Sequence, residues 1–411
     1  MACVLATGPI VQAQTSVQES GLRSCFDFGG TEVTCPGTGQ DGDVRPGAEW
    51  PVPRLVDNGD GTVTDRLTDL MWLKDAGCID GVDSPLALIL NDLHNGGTDF
   101  SCDGYSPGTY ADWRVPNVVE LTTLIDYGSA DGLPQDHPFS NVGMGGCFSW
   151  SSTSNAVGGE EDEAWTIAHG VAGVPEVTPT LKTVTSGCLW PVRDSSVPAG
   201  GVASVSLADG GVRFADGSVQ ETAVSPSAAR PRRSGQVGCW DSTGSSENCA
   251  ATGQDGELQA GVEWPEPPRY VDNGNGTVTD DLTGMMWLKE PGCAGIESLN
   301  FTQAEAAVSA INSGAIVGCT DYTPGTFEDW RMPSITEMAS MLDYGTTTGL
   351  PAGHPFDLTG LTACGFWSST SDLGAPTQAW WLVHGPTALD RVVASTAKSM
   401  DGCVWVVRES G

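Results

Sequence analysis

The sequence predicts an α+β fold of two tandem, disulfide-stapled domains, and three observations support this prediction. The 18-residue stretch that begins at Asp57 returns at Asp272 with 14 of 18 positions identical, so one domain occurs twice. The chain has 13 cysteines, and the 12 other than Cys3 divide six to each half at near-equal spacing. Helical patterns come early in each half and short strand patterns come late, which is typical of α+β domains.

The repeated stretch predicts a hairpin and then a core strand. Its opening letters, DNGDG, lie between short β-prone runs, and Asn-Gly and Asp-Gly pairs in that setting are the strongest local hairpin signal. The letters LMWL at 70–73 follow the hairpin and are too apolar to face water on both sides. We therefore expect a central core strand in each half.

Capping signals predict two helices in each half. The first runs from Ser84 to Asn95 with Ser84 as N-cap, and its counterpart runs from Thr302 to Asn312 with a Thr-Gln-Ala-Glu capping box. The second helix follows the motif Asp-Trp-Arg-x-Pro. Its predicted caps are Asn117 with Glu120 and Ser334 with Glu337. The strands expected after the helices cover 148–154, 164–169 and 188–193 in the first half, and 366–371, 379–384 and 403–408 in the second.

The charge balance excludes two classes of partner. The formal net charge is −34, from 52 acidic and 18 basic residues. Nucleic acid and anionic membrane surfaces require a basic face, so neither is expected as a partner. No stretch approaches the 18 or more apolar residues of a membrane span, so we expect no transmembrane segment.

The N-terminal residues predict export, and repeats and composition predict the domain divisions. The apolar run that ends in Val-Gln-Ala at 11–13 fits a signal-peptidase site, which predicts a secreted, extracellular or cell-surface protein. The divisions are a signal segment at 1–14, a first domain with its lead-in at 15–194, a linker at 195–238 and a second domain with its lead-in at 239–411. Strand-turn-strand patterns in the linker fit either a plain connection or a segment that adds strands to a neighbouring subunit.

The cysteines predict a disulfide framework that is used twice. Successive gaps are 10, 43, 24, 45 and 41 in the first half and 10, 44, 26, 45 and 39 in the second. Fifteen pairings per half are formally open. We expect nearest neighbours to pair, which gives Cys25–Cys35, Cys78–Cys102, Cys147–Cys188, Cys239–Cys249, Cys293–Cys319 and Cys364–Cys403. A zinc site would need closer clusters of Cys and His.

Several motifs in order resemble one family. DNGDGTVTD with LMWLK, DWRVP, WSSTS and a closing Val-Arg strand are similar to the Lcl C-terminal domain family, named after a bacterial collagen-like adhesin, over about 54–194 and 269–409. By wider similarity to C-type-lectin-like and formylglycine-generating-enzyme-like domains, the resemblance implies a mixed twisted sheet with two helices. It also implies extracellular adhesion, with sulfated polysaccharide held on a basic surface. This chain is acidic instead.

Acidic side chains in the hairpin form a candidate calcium site. Asp57, Asn58, Asp60 and Asp65 place four oxygen-bearing side chains within nine residues. Against this reading, the first ligand position of a dockerin-like loop would fall on Val56, and the second copy has Asn275 in place of Asp60. A plain hairpin is the favoured alternative, and no cofactor is required.

Other polar residues fit either a structural or a functional role. Asp112 and Arg114 are two apart, so both lie on one face of a strand, where they would hold a polar ligand or make structural ion pairs. His137 and His354 precede Pro-Phe in turns. The Ser-Ser-Thr runs at 151–153 and 368–370 lack a nucleophile elbow, and no histidine spacing suggests a base or a metal site.

The sequence therefore predicts a protein that works by contact. We expect a secreted, non-enzymatic, adhesin-type binding protein whose repeated lectin-like domains contact a glycan or a surface component. The alternative is a structural subunit of an extracellular filament or appendage, in which the partners are copies of the same chain and the protein is a homo-oligomer. An enzyme is the third and least favoured reading.

Overall fold

The structure is a computed structural model, and it describes most of the 411 residues. The described residues are 15–81, 94, 101–143, 146–168, 176–195, 206–208, 211–213, 219–220, 229–265, 268–291, 298–315, 319, 321–358, 364–384 and 389–410.

The first half contains a hairpin and two four-stranded sheets. Its strands are β1 (Cys25–Phe26), β2 (Glu32–Val33), β3 (Leu55–Asp57), β4 (Thr62–Asp65), β5 (Leu70–Leu73), β6 (Phe148–Ser154), β7 (Glu163–Ala168), β8 (Glu176–Leu181), β9 (Gly187–Cys188) and β10 (Val192–Asp194). One sheet has the order β10-β5-β4-β3 and is antiparallel. The other has the order β8-β7-β6-β9 and is mixed, because β9 runs parallel to β6.

The second half repeats this architecture after a three-stranded linker sheet. The linker strands are β11 (Ser206–Ala208), β12 (Gly211–Arg213) and β13 (Val219–Gln220), and all pair antiparallel. The later strands are β14 (Cys239–Trp240), β15 (Ser246–Glu247), β16 (Tyr270–Asp272), β17 (Thr277–Asp280), β18 (Met285–Leu288), β19 (Cys364–Ser371), β20 (Gln378–His384), β21 (Leu389–Ala397) and β22 (Val407–Glu409). Their sheets have the orders β16-β17-β18-β22 and β19-β20-β21.

The described helices are short, and three of the five begin with a capping box. They are α1 (Asp41–Val44), α2 (Val118–Thr123), α3 (Asp255–Leu258), α4 (Phe301–Asn312) and α5 (Ile335–Ser340). The predicted capping boxes of α2 and α5 are confirmed, with Asn117 and Ser334 accepting from the third helical amide. The predicted start of α4 is wrong by one residue. Asn300 caps it with Gln303, because Phe301 is buried and belongs to the first helical turn. The helix predicted at 84–95 lies outside the described residues, except for His94.

The predicted hairpin and core strand are confirmed in both halves. Strand β5 pairs with β4 on one side and with β10 on the other, and all four of its residues are buried. Trp72 packs on Trp190 with ring centroids 5.6 Å apart, and the Trp190 indole donates to the Leu73 carbonyl at 2.9 Å. The strand is therefore fixed from both edges and one face.

Two strand predictions need correction. The single strand predicted at 188–193 is two strands, β9 and β10, which belong to different sheets. The chain changes sheet at Pro191, which has no amide hydrogen to continue a ladder. The segment 403–408 divides in the same way: Cys403 makes an isolated parallel bridge, and β22 starts at Val407. Strands β8 and β21 had not been predicted.

Four of the six predicted disulfides are confirmed. They are Cys25–Cys35, Cys78–Cys102, Cys147–Cys188 and Cys239–Cys249. Cys319 and Cys403 are also disulfide-bonded. Cys293 and the side chain of Cys364 lie outside the described residues, so these two pairings remain predictions.

The lead-in of each half contacts its own half, where Ser20 accepts from the Tyr127 amide and Ser234 from the Tyr344 amide, both at 2.9 Å, and it also reaches the opposite half. We call residues 15–52 the first arm and residues 229–265 the second arm. The amide of Thr15 donates to the Leu282 carbonyl at 3.0 Å, and the amide of Ala229 donates to the Leu67 carbonyl at 3.2 Å. The sequence had assigned each lead-in to its own copy, and it had placed 229–238 in the linker. Both arms thus join the halves reciprocally.

Aromatic rings complete the contact between the halves. Tyr127 packs edge-on against Trp380 with centroids 5.1 Å apart, and the equivalent pair, Tyr344 and Trp165, lies at 5.3 Å. All four side chains are buried. The same contact made twice, in opposite directions, is the mark of an approximate two-fold relation between the halves.

Candidate binding surfaces

The four side chains of the candidate calcium site all have hydrogen-bond partners within the protein. Asp57 accepts from Lys74 Nζ at 2.7 Å and from the Gly59 amide at 2.9 Å, and the hydrogen bond from Lys74 lowers the pKa of this carboxyl. Asn58 donates to Thr62 at 2.8 Å. The hairpin is therefore closed by its own side chains.

The other two carboxylates are also engaged. Asp60 accepts from Thr62 Oγ1 at 2.5 Å and from the Tyr110 hydroxyl at 3.2 Å. Asp65 is buried and bound by the Arg54 guanidinium. Within the described ranges, His, Cys, Asp and Glu form no group of three or more that could hold a metal ion. Calcium binding stays a prediction, and calorimetry on the wild type and on Asp60→Ala tests it.

Asp112 and Arg114, which the sequence had placed on one face of a strand, have different partners in the structure. Arg114 binds Glu120 with both terminal nitrogens, each at 2.5 Å. Asp112 instead pairs with Arg193 on the closing strand, at 2.7 and 3.0 Å. The second half repeats both pairs with Arg331–Glu337 and Asp329–Arg408. These arginines thus tie the Asp-Trp-Arg-x-Pro motif to a helix cap and to the last strand.

The hydroxyls of the first Ser-Ser-Thr run have structural partners. Ser151 donates to the Trp165 carbonyl at 2.7 Å, and Ser152 donates to the Pro116 carbonyl at 3.3 Å. Thr153 donates to Asp255 on the second arm at 2.6 Å. The run therefore fixes one sheet and one arm.

A buried carboxylate lies on each arm where it meets the opposite half. Asp41 accepts from Thr370 at 2.5 Å, and Asp255 accepts from Thr153 and from Ser234. Burial raises the pKa of each carboxyl from 3.8 to about 6, although the hydroxyl donors oppose the shift. The charged neighbours are Arg331 and Glu337 around Asp41, and Arg114 and Glu120 around Asp255.

We expect the contact between the halves to weaken as pH rises through 6. The folded chain holds these protons more tightly than the unfolded chain, so the stabilisation is complete below the unfolded pKa of 3.8 and is lost above the folded pKa of about 6. Urea unfolding at pH 5 and pH 7.5 checks this. The double variant Asp41→Asn, Asp255→Asn should reduce the difference but not abolish it, because burial also raises the pKa of Asp126 to about 6. Equal pH dependence in the wild type and the double variant would contradict the assignment.

Two lysines anchor the arms. Lys182 donates to the carbonyls of Trp240 at 2.8 Å and Asp241 at 3.3 Å on the second arm. Lys398 donates to the carbonyls of Phe26 and Asp27 on the first arm, both at 3.2 Å. Burial lowers the pKa of both lysines to about 8. Reciprocal hydrogen bonds at equivalent positions thus hold both arms.

A small cavity lies between the halves. Its lining includes Tyr127 and Tyr344 together with residues from the starts of both arms, and its volume is about 90 Å³. Pockets that take organic ligands typically have about 300–1,000 Å³. This cavity is therefore a packing defect of the contact between the halves rather than a binding site.

A larger cleft opens beside Trp264 on the second arm. It has about 370 Å³ and is lined by three segments, within 233–237, 259–270 and 351–354. We call it the Trp264 cleft. Trp264 is partly buried; its indole donates to the Arg233 carbonyl at 3.0 Å, and the Arg269 guanidinium lies 4.9 Å from its ring centroid. The local sequence signal for this cleft is the repeated Glu-Trp-Pro at 49–51 and 263–265, which by itself predicts no site.

Comparison with known proteins shows the family. The Lcl C-terminal domain family model matches twice, at residues 61–193 and 276–408. The chain belongs to the Lcl C-terminal domain family, as two tandem copies, and this supports a surface or adhesin-like protein. No curated protein and no solved structure matches the chain. Within the described residues, no helix has the length and apolar character of a membrane span. The disulfides and the family fit an extracellular protein.

Proposed function

We propose that this protein is a secreted, non-enzymatic adhesin that contacts a glycan or an extracellular surface through its two Lcl C-terminal domains. The observation that carries the proposal is the reciprocal exchange of the arms, with Thr370 on Asp41 and Thr153 on Asp255. The exchange joins two like domains into one unit that presents similar surfaces twice. Paired surfaces gain avidity on a repetitive target such as a polysaccharide or a cell envelope.

The roles of the polar side chains support contact rather than turnover. Ser151 and Ser152 donate to backbone carbonyls, and His94 Nε2 lies 2.8 Å from the Trp113 carbonyl. The arginines of the Asp-Trp-Arg-x-Pro motif are bound by carboxylates in both halves. Side chains that the sequence offered for chemistry are thus used to hold the fold.

One observation favours the alternative of a structural subunit in an extracellular filament. Each half accepts an arm that is covalently attached to the other half. If the same contact formed between chains, half one of one copy would pair with half two of the next, and the assembly would grow head to tail. The partners would then be copies of this chain.

Binding and imaging of the secreted, full-length protein test both proposals. We expect retention on immobilised polysaccharide or cell envelope, with weaker retention after deletion of 200–224 if the linker sets the spacing of the domains. Electron microscopy of the native material should show isolated particles for the adhesin and filaments for the alternative. Turnover of a substrate in a broad hydrolase or oxidase screen would contradict the contact function.

A further inference from the structure

We propose that the Trp264 cleft binds one uncharged sugar ring of a polysaccharide. The inference rests on the proposed contact function and names a site and a ligand class for it. Most lining residues lie on the second arm, ahead of the matched family segment at 276–408, so the site is an addition to the repeated domain.

The walls of the cleft suit the apolar face of a pyranose. Trp264 is held from two sides, by its hydrogen bond to the Arg233 carbonyl and by the Arg269 guanidinium. Gly235 packs against the same ring so closely that an added Cβ would lie 2.8 Å from it. Tyr270 and the prolines Pro265, Pro268 and Pro351 also line the cleft. A fixed aromatic ring with apolar surroundings offers contact area at little cost in side-chain entropy.

The polar groups of the cleft suit hydroxyls. Arg233 Nε, Arg269 Nη1 and His354 Nδ1 are buried, and none has a hydrogen-bond partner in the described part of the chain. Arg269 as a whole is only 4% exposed. A buried polar atom without a partner costs about 1–3 kcal/mol. These atoms have almost no contact with solvent in the free protein, so a ligand oxygen would reach them only after a small movement of the side chains. Glu263 supplies an acceptor on the same rim, 3.1 Å from Arg233 Nη1. A sugar hydroxyl both donates and accepts, so one ring can satisfy both kinds of group.

The charges around the cleft favour an uncharged ligand. Arg233 is already paired with Glu263, and Arg269 is paired with Asp280 at 2.7 Å. Burial lowers the pKa of His354, which keeps its imidazole neutral near pH 7. The whole chain carries a formal charge of −34, which repels anionic polysaccharide at long range. Among the described residues, both arginines that line the cleft are already paired with carboxylates, so neither offsets that repulsion.

The first half provides an internal comparison. Trp50, Arg54 and His137 stand at the positions of Trp264, Arg269 and His354. Among the residues that the structure describes, Arg54 Nη1 and His137 Nδ1 also have no hydrogen-bond partner. Two lining residues that carry the argument differ: Arg233 and Tyr270 have Glu19 and Leu55 as counterparts. The lining also differs at Gln236, Val237, Gln259, Ala352 and Gly353, whose counterparts are Leu22, Arg23, Arg45, Gln135 and Asp136. Glu19 is bound by Arg23 at 2.5 Å, so the first half has a paired carboxylate where the cleft of the second half has Arg233. We therefore assign the sugar subsite to the second half alone.

Calorimetry of the full-length protein with pentasaccharides tests the proposal. The probes are cellopentaose, maltopentaose and mannopentaose, with pentagalacturonate as the anionic counterpart. We expect at least one neutral probe to bind and the anionic probe to bind at least tenfold more weakly. Arg233→Glu, which installs the residue of the first half, and Trp264→Ala should each weaken binding at least tenfold. The matched control, Arg23→Glu, should leave it unchanged.

Each contrary result has a defined meaning. Equal binding by the wild type and Arg233→Glu would overturn the cleft as the site, even if Trp264→Ala failed to fold. Preference for pentagalacturonate, or no binding of any neutral probe by a protein that still adheres to cell envelope, would overturn the ligand class. These results leave the adhesin proposal standing. The adhesin proposal itself fails if the wild type is retained by no polysaccharide and no envelope.

Discussion

Cleavage of the linker should leave the two halves bound to each other. We expect a chain with a protease site inserted between Thr222 and Ala223 to elute unchanged after complete cleavage, because both arms still bind the opposite half. The contact includes hydrogen bonds from Lys182 and Lys398 to the arms and the ring pairs Tyr127–Trp380 and Trp165–Tyr344. Size-exclusion chromatography at micromolar concentration, followed by denaturing electrophoresis, measures the outcome.

A variant with a weakened contact between the halves provides the comparison with the cleaved wild-type protein. Trp380→Ala removes a buried ring that packs on Tyr127, and a buried Trp→Ala change costs about 3–5 kcal/mol. The cleaved variant should therefore separate into its two fragments. Phe28→Ala is the control, because Phe28 lies on the first arm but is 46% exposed. Separation of the cleaved wild-type halves would show that the linker, rather than the arms, holds the protein together.

Local signals explain why much of the fold could be predicted from the sequence. The hairpin depends on Asn-Gly and Asp-Gly pairs, and the caps of α2 and α5 depend on residues three apart. The confirmed disulfides join nearest cysteines, the widest of them 41 residues apart. Each of these features depends only on residues within one repeat, and the two repeats carry the same sequence signals for it.

The arm exchange could not be predicted, because an internal repeat is equally consistent with arms that pack on either half. The bond between Asp41 and Thr370 spans 329 residues, and no local pattern marks either residue as its partner's. The Trp264 cleft was missed for a different reason, because its walls come from segments that are far apart in the sequence of the second half. It combines an arm start, a helix end and a distant turn at His354. Asp41 and Asp255 thus bind Thr370 and Thr153 only because the two halves are in contact.

Loss of the Arg114–Glu120 ion pair should destabilise the protein strongly. The Glu120 side chain is fully buried and accepts from both terminal nitrogens of Arg114 and from the Asn117 amide at 2.9 Å. In Arg114→Met, the Glu120 carboxylate stays buried and keeps its hydrogen bond from the Asn117 amide at the helix cap, but it loses its counter-charge. Breaking a buried pair from one side costs about 3–5 kcal/mol. Urea unfolding followed by tryptophan fluorescence should show a loss of this size, and Arg331→Met should repeat it in the second half.

The spacing of Asp112 and Arg114 had left two roles open for Arg114, a structural ion pair or contact with a ligand. Two further variants distinguish these roles. Arg114→Met with Glu120→Gln removes the uncompensated charge and keeps a capping side chain, so part of the lost stability should return. Lys74→Met breaks the exposed pair with Asp57 and should leave the unfolding midpoint unchanged. If Arg114→Met instead unfolded with the wild-type midpoint and lost surface binding, Arg114 would be a ligand-contacting residue, because only then would its removal spare the fold.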